Sequence, residues 1–526
     1  MIICWDIGKF TRFSMSKSFP EKFQAIAKLK KIIGKPNSFI SHRQRLLAIQ
    51  KNHVFLHHML KNYLYDTVIQ SFPFEPTNQQ VELIRLLGDF LADVSDDKIF
   101  LLKGYAGTGK TSIVSALVRS LHQLQQKTIL LAPTGRAAKV LSGYAGFPAF
   151  TVHKKIYRQK SIGEPVFQLA DNLYKQTLFI VDEASMISNS GNDSEFGSGY
   201  LLDDLIRFVY QGAGCSLLLL GDTAQLPPVM QEVSPALDKD KLESYGLKVT
   251  EFTLTQVVRQ AFESGVLFNA TLLRKALEEA LADTLPDLKT TDFSDIKILN
   301  GMDLVEEVHR SYDGVGVEDT IVITRSNKRA NIYNNGIRNR VLMREEEISN
   351  GDLLMITRNN YFWNKSYQDI DFIANGDIVE VVRIHKFREM YDFRFVDLSL
   401  RSLDFGWEID ARIWLESLQS ESPQHTAQLS RTLFERVSED YIDITNKRER
   451  YKQIFENEYL NALQVKFAYA VTCHKAQGGQ WKTVFIDAGM MPDAIIDRNY
   501  YRWLYTALTR ATDRVFLVNY PSGKTK

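Results

Sequence analysis

Short apolar runs separated by helix-length segments dominate the chain from residue 98 onward. Ile99-Phe100-Leu101-Leu102, Thr128-Ile129-Leu130-Leu131, Leu178-Phe179-Ile180-Val181 and Leu217-Leu218-Leu219-Leu220 each close on a Gly, Pro or Asp turn. Apolar on both faces, they predict buried parallel strands of a doubly wound sheet. A second set, at 320–323, 465–470, 484–486 and 514–518, predicts a similar sheet. Two α/β domains are expected. Inserted in the second, at 345–464, short strands at 351–356, 376–381 and 395–400 with Asn-Gly and Gly-Asp turns predict a small antiparallel barrel. Residues 426–463 are charged and helix-like, and read as a solvated helix.

Composition is ordinarily globular, with 44% apolar and 24% charged residues. The 526 residues hold 64 Lys+Arg against 63 Asp+Glu, but the charge is uneven. Residues 1–58 carry 11 basic residues and only Asp6 and Glu21, a net of +9, which leaves −8 for 59–526. Two readings compete for that first segment: a basic nucleic-acid-binding arm, or an appended stretch with little fold, which its lack of helical or strand period favours. Asp6 and Lys9 interrupt the opening apolar residues, so no signal peptide is expected. Apolar runs stop at about five residues, against about 20 needed to cross a bilayer. Cys4, Cys215 and Cys473 are too scattered for a disulfide framework or a zinc cluster, so a reducing, cytoplasmic setting is expected.

The most specific chemical signal is Gly104-Tyr105-Ala106-Gly107-Thr108-Gly109-Lys110-Thr111, after a buried strand and before a helix-like run. The pattern G-x-x-x-x-G-K-[ST] is a P-loop, whose backbone N–H groups wrap phosphates. Lys110 is expected to reach the β/γ oxygens and Thr111 to offer its hydroxyl to Mg²⁺. Gly104, Ala106, Gly107, Thr108, Gly109, Lys110, Thr111 and Ser112 form the expected ATP cradle. A P-loop needs a carboxylate-bearing strand beside it, and 178–183 supplies Asp182 for Mg²⁺ and Glu183 as general base on water. Arg259 and Arg510 are candidates to stabilise charge on the γ-phosphate, although composition alone does not separate them from surface arginines.

The whole order of motifs resembles the superfamily 1B helicases, the RecD/Dda type. It comprises Pro76-Thr77-Asn78-Gln79-Gln80, the P-loop, 132–138 (APTGRAA), Thr151-Val152-His153, 182–186 (DEASM), 221–228 (GDTAQLPP), Val258-Arg259-Gln260, 472–478 (TCHKAQG) and 505–511 (YTALTRA). The resemblance covers about residues 75–520 and implies two RecA-like domains with ATP between them. The first would span 59–250; the second would combine 251–344 and 465–526. It further implies that Gln80 reads the adenine edge, that Gln225 senses the γ-phosphate, that Arg259 and Arg510 are arginine fingers, and that Gly478 lies in a phosphate- and strand-contacting loop. Pro133, Thr134, His153, Thr472, His474 and Lys475 would lie on the strand-binding face. At 154–172, alternation around a Gly/Pro turn fits a hairpin, and the resemblance makes it the pin that splits a duplex. Family members commonly carry Glu two residues past the Gly of the 472–478 motif, where this chain has Gln480, so no ribose contact is carried over.

The resulting expectation is an ATP-driven, monomeric helicase that translocates 5′-to-3′ on single-stranded DNA and opens duplex junctions. The alternative is a nucleic-acid-stimulated ATPase switch that grips a strand without separating a duplex. A fused nuclease is disfavoured, because no further acidic constellation with metal-site spacing stands out.

Overall fold

The computed structural model describes residues 61–72, 75–159, 167–191, 196–258, 263–279, 281–364, 367, 372–420, 423–489 and 496–521. The +9 segment, Arg259 and the hairpin tip at 160–166 lie outside them.

The first domain holds β1 (Lys98–Gly104), β2 (Lys127–Ala132), β3 (Ala149–Thr151), the hairpin β4 (Tyr157–Gln159) and β5 (Phe167–Leu169), then β6 (Thr177–Val181), β7 (Ser216–Gly221) and β8 (Lys248–Leu254). Six of these form one sheet in the order β3-β2-β6-β7-β1-β8, every pair parallel. Side chains alternate across it. Ile99 and Leu101 enter one core with Phe179 and Leu217, whereas Phe100 and Leu102 enter the opposite one with Ile113 and Leu218. That two-sided burial is why these strands are continuous apolar runs. Polar β8 was not legible in that way, and it carries the first sheet past residue 250.

The second sheet contains β9 (Ile296–Leu299) and β10 (Thr320–Thr324). The chain then leaves for β11 (Leu353–Ile356), β12 (Ile378–Met390), β13 (Phe393–Ser402), β14 (Glu408–Trp414) and β15 (Leu463–Phe467), which form a closed barrel. It returns through β16 (Ala470–Thr472), β17 (Trp481–Asp487) and β18 (Ala511–Val518), giving the parallel order β16-β10-β17-β18-β9. The strand expected at 465–470 is therefore two strands. Leu463–Phe467 pairs with β11 and β14 in the barrel, and only Ala470–Thr472 enters the second sheet.

The charged stretch after the barrel is not simply solvated. Its helices Pro423–Glu439 and Lys447–Phe455 bury Leu433, Val437 and Ile454 against Phe393, Phe395 and Trp414. Leu433 and Val437, four residues apart, share one helical face. The expected hairpin exists but starts later, because Ile156 ends a short helix, Val152–Ile156. Phe167 at its base packs on Phe196 and, at 4.4 Å between ring centroids, on Tyr361 from the segment between β11 and β12.

Candidate active site at the cleft between the two sheets

β1 ends at Gly104 and, after five intervening residues, the helix Lys110–Gln123 begins. The loop between them can turn because Gly107 (φ +74°) and Gly109 (φ +83°) are left-handed, a region that favours glycine. A Cβ on Gly109 would lie 2.4 Å from Gln80 Nε2. Gln80 braces this loop. Its Nε2 donates to the Thr108 carbonyl at 3.0 Å, and its Oε1 accepts from Thr77 N–H at 2.9 Å in a capping box. Lys110 Nζ folds back on the Gly104 and Tyr105 carbonyls.

Beside the loop, β6 delivers Asp182 and Glu183. Asp182 is half-buried, and desolvation together with the neighbouring Glu183 pushes its carboxyl up to about 6. Glu183 has φ +51°, and its N–H donates to Asp182 Oδ1 at 2.8 Å. A non-glycine residue in that region carries backbone strain of about 1–3 kcal/mol, a cost commonly met at functional sites. The donor set suits a nucleotide with a divalent cation: a glycine cradle, a lysine, a threonine hydroxyl, and a half-buried carboxylate that a cation would hold ionised.

The second sheet completes the constellation. Arg510, 4% exposed, places Nη1 3.4 Å from Glu183 Oε1. With its amide in the orientation that satisfies both neighbours, Gln225 donates to Glu183 Oε2 at 3.3 Å and accepts from Arg510 Nη2 at 3.1 Å. Three residues singled out from separate motifs thus meet at one point. The glycine loop itself touches the linking segment, since Val258 N–H donates to the Gly107 carbonyl at 3.0 Å.

Residues 80–286 match the family described as AAA domain, and residues 467–518 match the UvrD-like helicase C-terminal domain. The two occur in the order that the two sheets require. These two matches support the resemblance to the RecD-type helicases of superfamily 1B. The chain falls accordingly among the ATP-hydrolysing helicase enzymes. It is 25% identical over 435 residues to the ATP-dependent RecD2 DNA helicase of Deinococcus radiodurans, covering 81% of this chain but 47% of that one. It is 23% identical over 513 residues to the uncharacterized protein R530 of Acanthamoeba polyphaga mimivirus, covering 84% of this chain and 98% of the other. A crystal structure of Pif1 helicase from Bacteroides in complex with ADP-AlF3 and ssDNA aligns at 16% identity and TM-score 0.43, over 85% of this chain and 93% of that one. At that distance the alignment adds nothing to the argument.

Most of the residues that the resemblance expects on a strand-binding face lie close by, where the two domains approach closely. Thr134 caps the helix Gly135–Ala145, its Oγ1 accepting from Ala137 N–H, and Pro133 precedes it. Opposite stands Gly478 (φ +75°), where a Cβ would fall 2.7 Å from Ala137 Cβ and 3.2 Å from Thr134 Oγ1. Thr472 precedes the short helix Cys473–Ala476, which presents His474 and Lys475 outward. Surrounding protein pulls both side chains below their ordinary pKa values, and Lys466 repels Lys475 further. Lys475 Nζ donates to Asn375 Oδ1 at 2.7 Å. His153 sits apart from this group, edge-on to Phe196 at 4.9 Å beneath the hairpin. Gln480 is engaged across the cleft, its Oε1 accepting from Tyr144 at 2.6 Å.

Sequence reasoning assigned nothing to Tyr505, Asp222 or Arg136, although all lie inside quoted motifs. Arg136 stacks over Trp481 at 4.9 Å and pairs with barrel residue Asp404 at 3.3 Å. A cationic residue one place past Gly135 was the available signal.

Proposed function

We propose that the chain is an ATP-driven translocase that moves 5′-to-3′ along single-stranded DNA and unwinds duplex at junctions. The observation that carries this reading is the approach of Arg510 to Glu183 across the cleft. It joins a general base on one sheet to a cation on the other, so hydrolysis and domain closure become one event.

In this reading Thr111 and Asp182 hold Mg²⁺, which supplies charge neutralisation at the phosphates. Lys110 leaves the Gly104 and Tyr105 carbonyls for the β/γ oxygens, and the N–H groups of 107–112 orient the phosphates. Glu183 accepts the proton of the attacking water, while Gln225 and Arg510 hold the γ end. Arg259 is the second finger, and Gln80 offers its remaining amide capacity to adenine. Single-stranded DNA crosses Pro133, Thr134, Thr472, His474 and Lys475, with His153 and the hairpin where strands part. Gly478 transmits closure between the strand face and the site. A monomer in a reducing, cytoplasmic setting suffices, because both halves of the site come from one chain.

Support from relatives is that RecD2 is named an ATP-dependent DNA helicase. The test is steady-state ATP hydrolysis with and without oligo-dT. Wild type should be stimulated and Lys110→Ala inactive; equal turnover by both proteins would sink the site assignment. A switch that grips without unwinding is the second reading, and it gains if wild type hydrolyses ATP on a strand but never unwinds a 5′-tailed duplex; in the first reading a variant shortened at 160–164 loses strand separation and keeps strand-stimulated hydrolysis.

A further inference from the structure

The helix Arg498–Leu508 and the turn after it reach toward the first domain at successive positions. Arg502 donates to the Glu232 carbonyl at 2.6 Å, Leu226 N–H donates to Thr506 Oγ1 at 2.9 Å, and Arg510 meets Glu183. Tyr505 makes a different contact. Enclosed on all sides, its hydroxyl donates to Asp222 Oδ2 at 2.6 Å and accepts the N–H of Ala106 at 2.8 Å.

Those two partners bracket the nucleotide site. Ala106 is the third residue of the P-loop, and its N–H is a donor of the kind such loops turn toward phosphate. Asp222 begins the segment that carries Gln225, and its other oxygen accepts from Ala224 N–H at 2.9 Å. Burial pushes the phenol of Tyr505 far up, so the hydroxyl keeps its proton and serves as a donor to Asp222. One hydroxyl therefore joins the P-loop, the Gln225 segment and the second domain. A tyrosine that merely filled a core would need a single polar partner, and both would belong to one rigid body. Here the partners lie across the cleft that has to open and close.

We infer that Tyr505 is a positioning residue that couples the phosphate end of the nucleotide site to the second domain, by holding the Ala106 amide and the Asp222 carboxylate through one hydroxyl. The inference rests on the ATPase reading above. Removing the hydroxyl leaves the buried Asp222 carboxylate and the Ala106 N–H each short of a partner while the ring still fills its space. The nucleotide can still bind, but the loop and the Gln225 segment no longer move together.

The experiment is oligo-dT-stimulated ATP hydrolysis by the full chain, comparing wild type, Tyr505→Phe and Leu504→Val, a packing change on the same helix. Tyr505→Phe is expected to lower kcat about tenfold, the worth of one hydrogen bond to a charged group. Its KM for ATP should stay within about twofold of wild type, marking a loss felt after binding. Leu504→Val should lower the melting temperature without that kcat loss. Asp222→Asn approaches the same bond from the other side and keeps the test alive if Tyr505→Phe folds poorly. It should reproduce the kcat loss, and the double variant should be no worse than either single one. An unchanged kcat in Tyr505→Phe, a kcat loss in Leu504→Val matching its own, or additive losses in the double variant would overturn the inference. No hydrolysis by wild type would instead sink the ATPase reading, and this inference with it.

Discussion

Arg510 Nη1 lies 3.4 Å from Glu183 Oε1, joining residues 327 positions apart and on different sheets. Glu183 is the proposed base, and Arg510 the cation that reaches it only when the domains are together. Arg510→Ala should reduce kcat for ATP by at least about 10³-fold, the scale of an arginine finger. Nucleotide binding, measured by titration with a fluorescent ADP analogue, should survive. A kcat within a few-fold of wild type would remove Arg510 from the chemistry.

Gly478 should tolerate no side chain. Its φ of +75° is unfavourable for alanine, and a Cβ would meet Ala137 at 2.7 Å. Gly478→Ala is expected to cost about 1–3 kcal/mol in stability, combining backbone strain with overpacking. Because Ala137 and Gly478 belong to opposite domains, strand stimulation should fall more than basal hydrolysis. Thermal melting and stimulated turnover, measured together, check this.

Asp377 gives a pH signature at the contact between barrel and first domain. It lies against Gly135, accepts from Ala374 N–H at 2.8 Å, and is pushed up to about 7 by burial first and by Asp404 further. The folded protein therefore binds a proton that the unfolded chain has already lost between about pH 4 and 7, and stability falls as pH rises through that window. Asp377→Asn keeps an acceptor for Ala374 and removes the ionisation. It should flatten the decline in denaturant midpoint between about pH 4 and 7, with a ceiling of about 4 kcal/mol at about 1.4 kcal/mol per pH unit. A decline as steep as wild type would show that Asp377 does not titrate there.

Lys475 is exposed, and on the proposed strand face it should contribute one phosphate contact. Lys475→Ala is expected to weaken oligo-dT binding and to reduce the slope of log K against log salt by about 0.7, the value for one contact on a single strand. Fluorescence anisotropy across a salt series provides the measurement. An unchanged slope would place the strand elsewhere.

What could be read in advance follows from the range of the forces involved. The P-loop was legible because its glycines, lysine and flanking strand are neighbours in the chain, and the two-sided burial of β1, β2, β6 and β7 writes itself as apolar runs. Edge strands such as β8, with Lys248, Thr250 and Glu251, carry no such run. β15 was misplaced because Val465 and Phe467 look alike whether they close a barrel or enter a parallel sheet. Arg510 could be chosen among 64 basic residues only through the order of motifs. The paired hydrogen bonds of the Tyr505 hydroxyl to Ala106 and Asp222 depend on how two domains meet, which no local pattern records.

The central claim is directional, ATP-driven strand separation, and a single unwinding assay addresses it. Matched duplexes with a 5′ or a 3′ single-stranded tail are incubated with the full chain, Mg²⁺ and ATP, and strand release is followed. The account predicts release from the 5′-tailed duplex only, dependent on ATP and absent in Lys110→Ala. Release from the 3′-tailed duplex alone, or ATP hydrolysis without release from either, would contradict it.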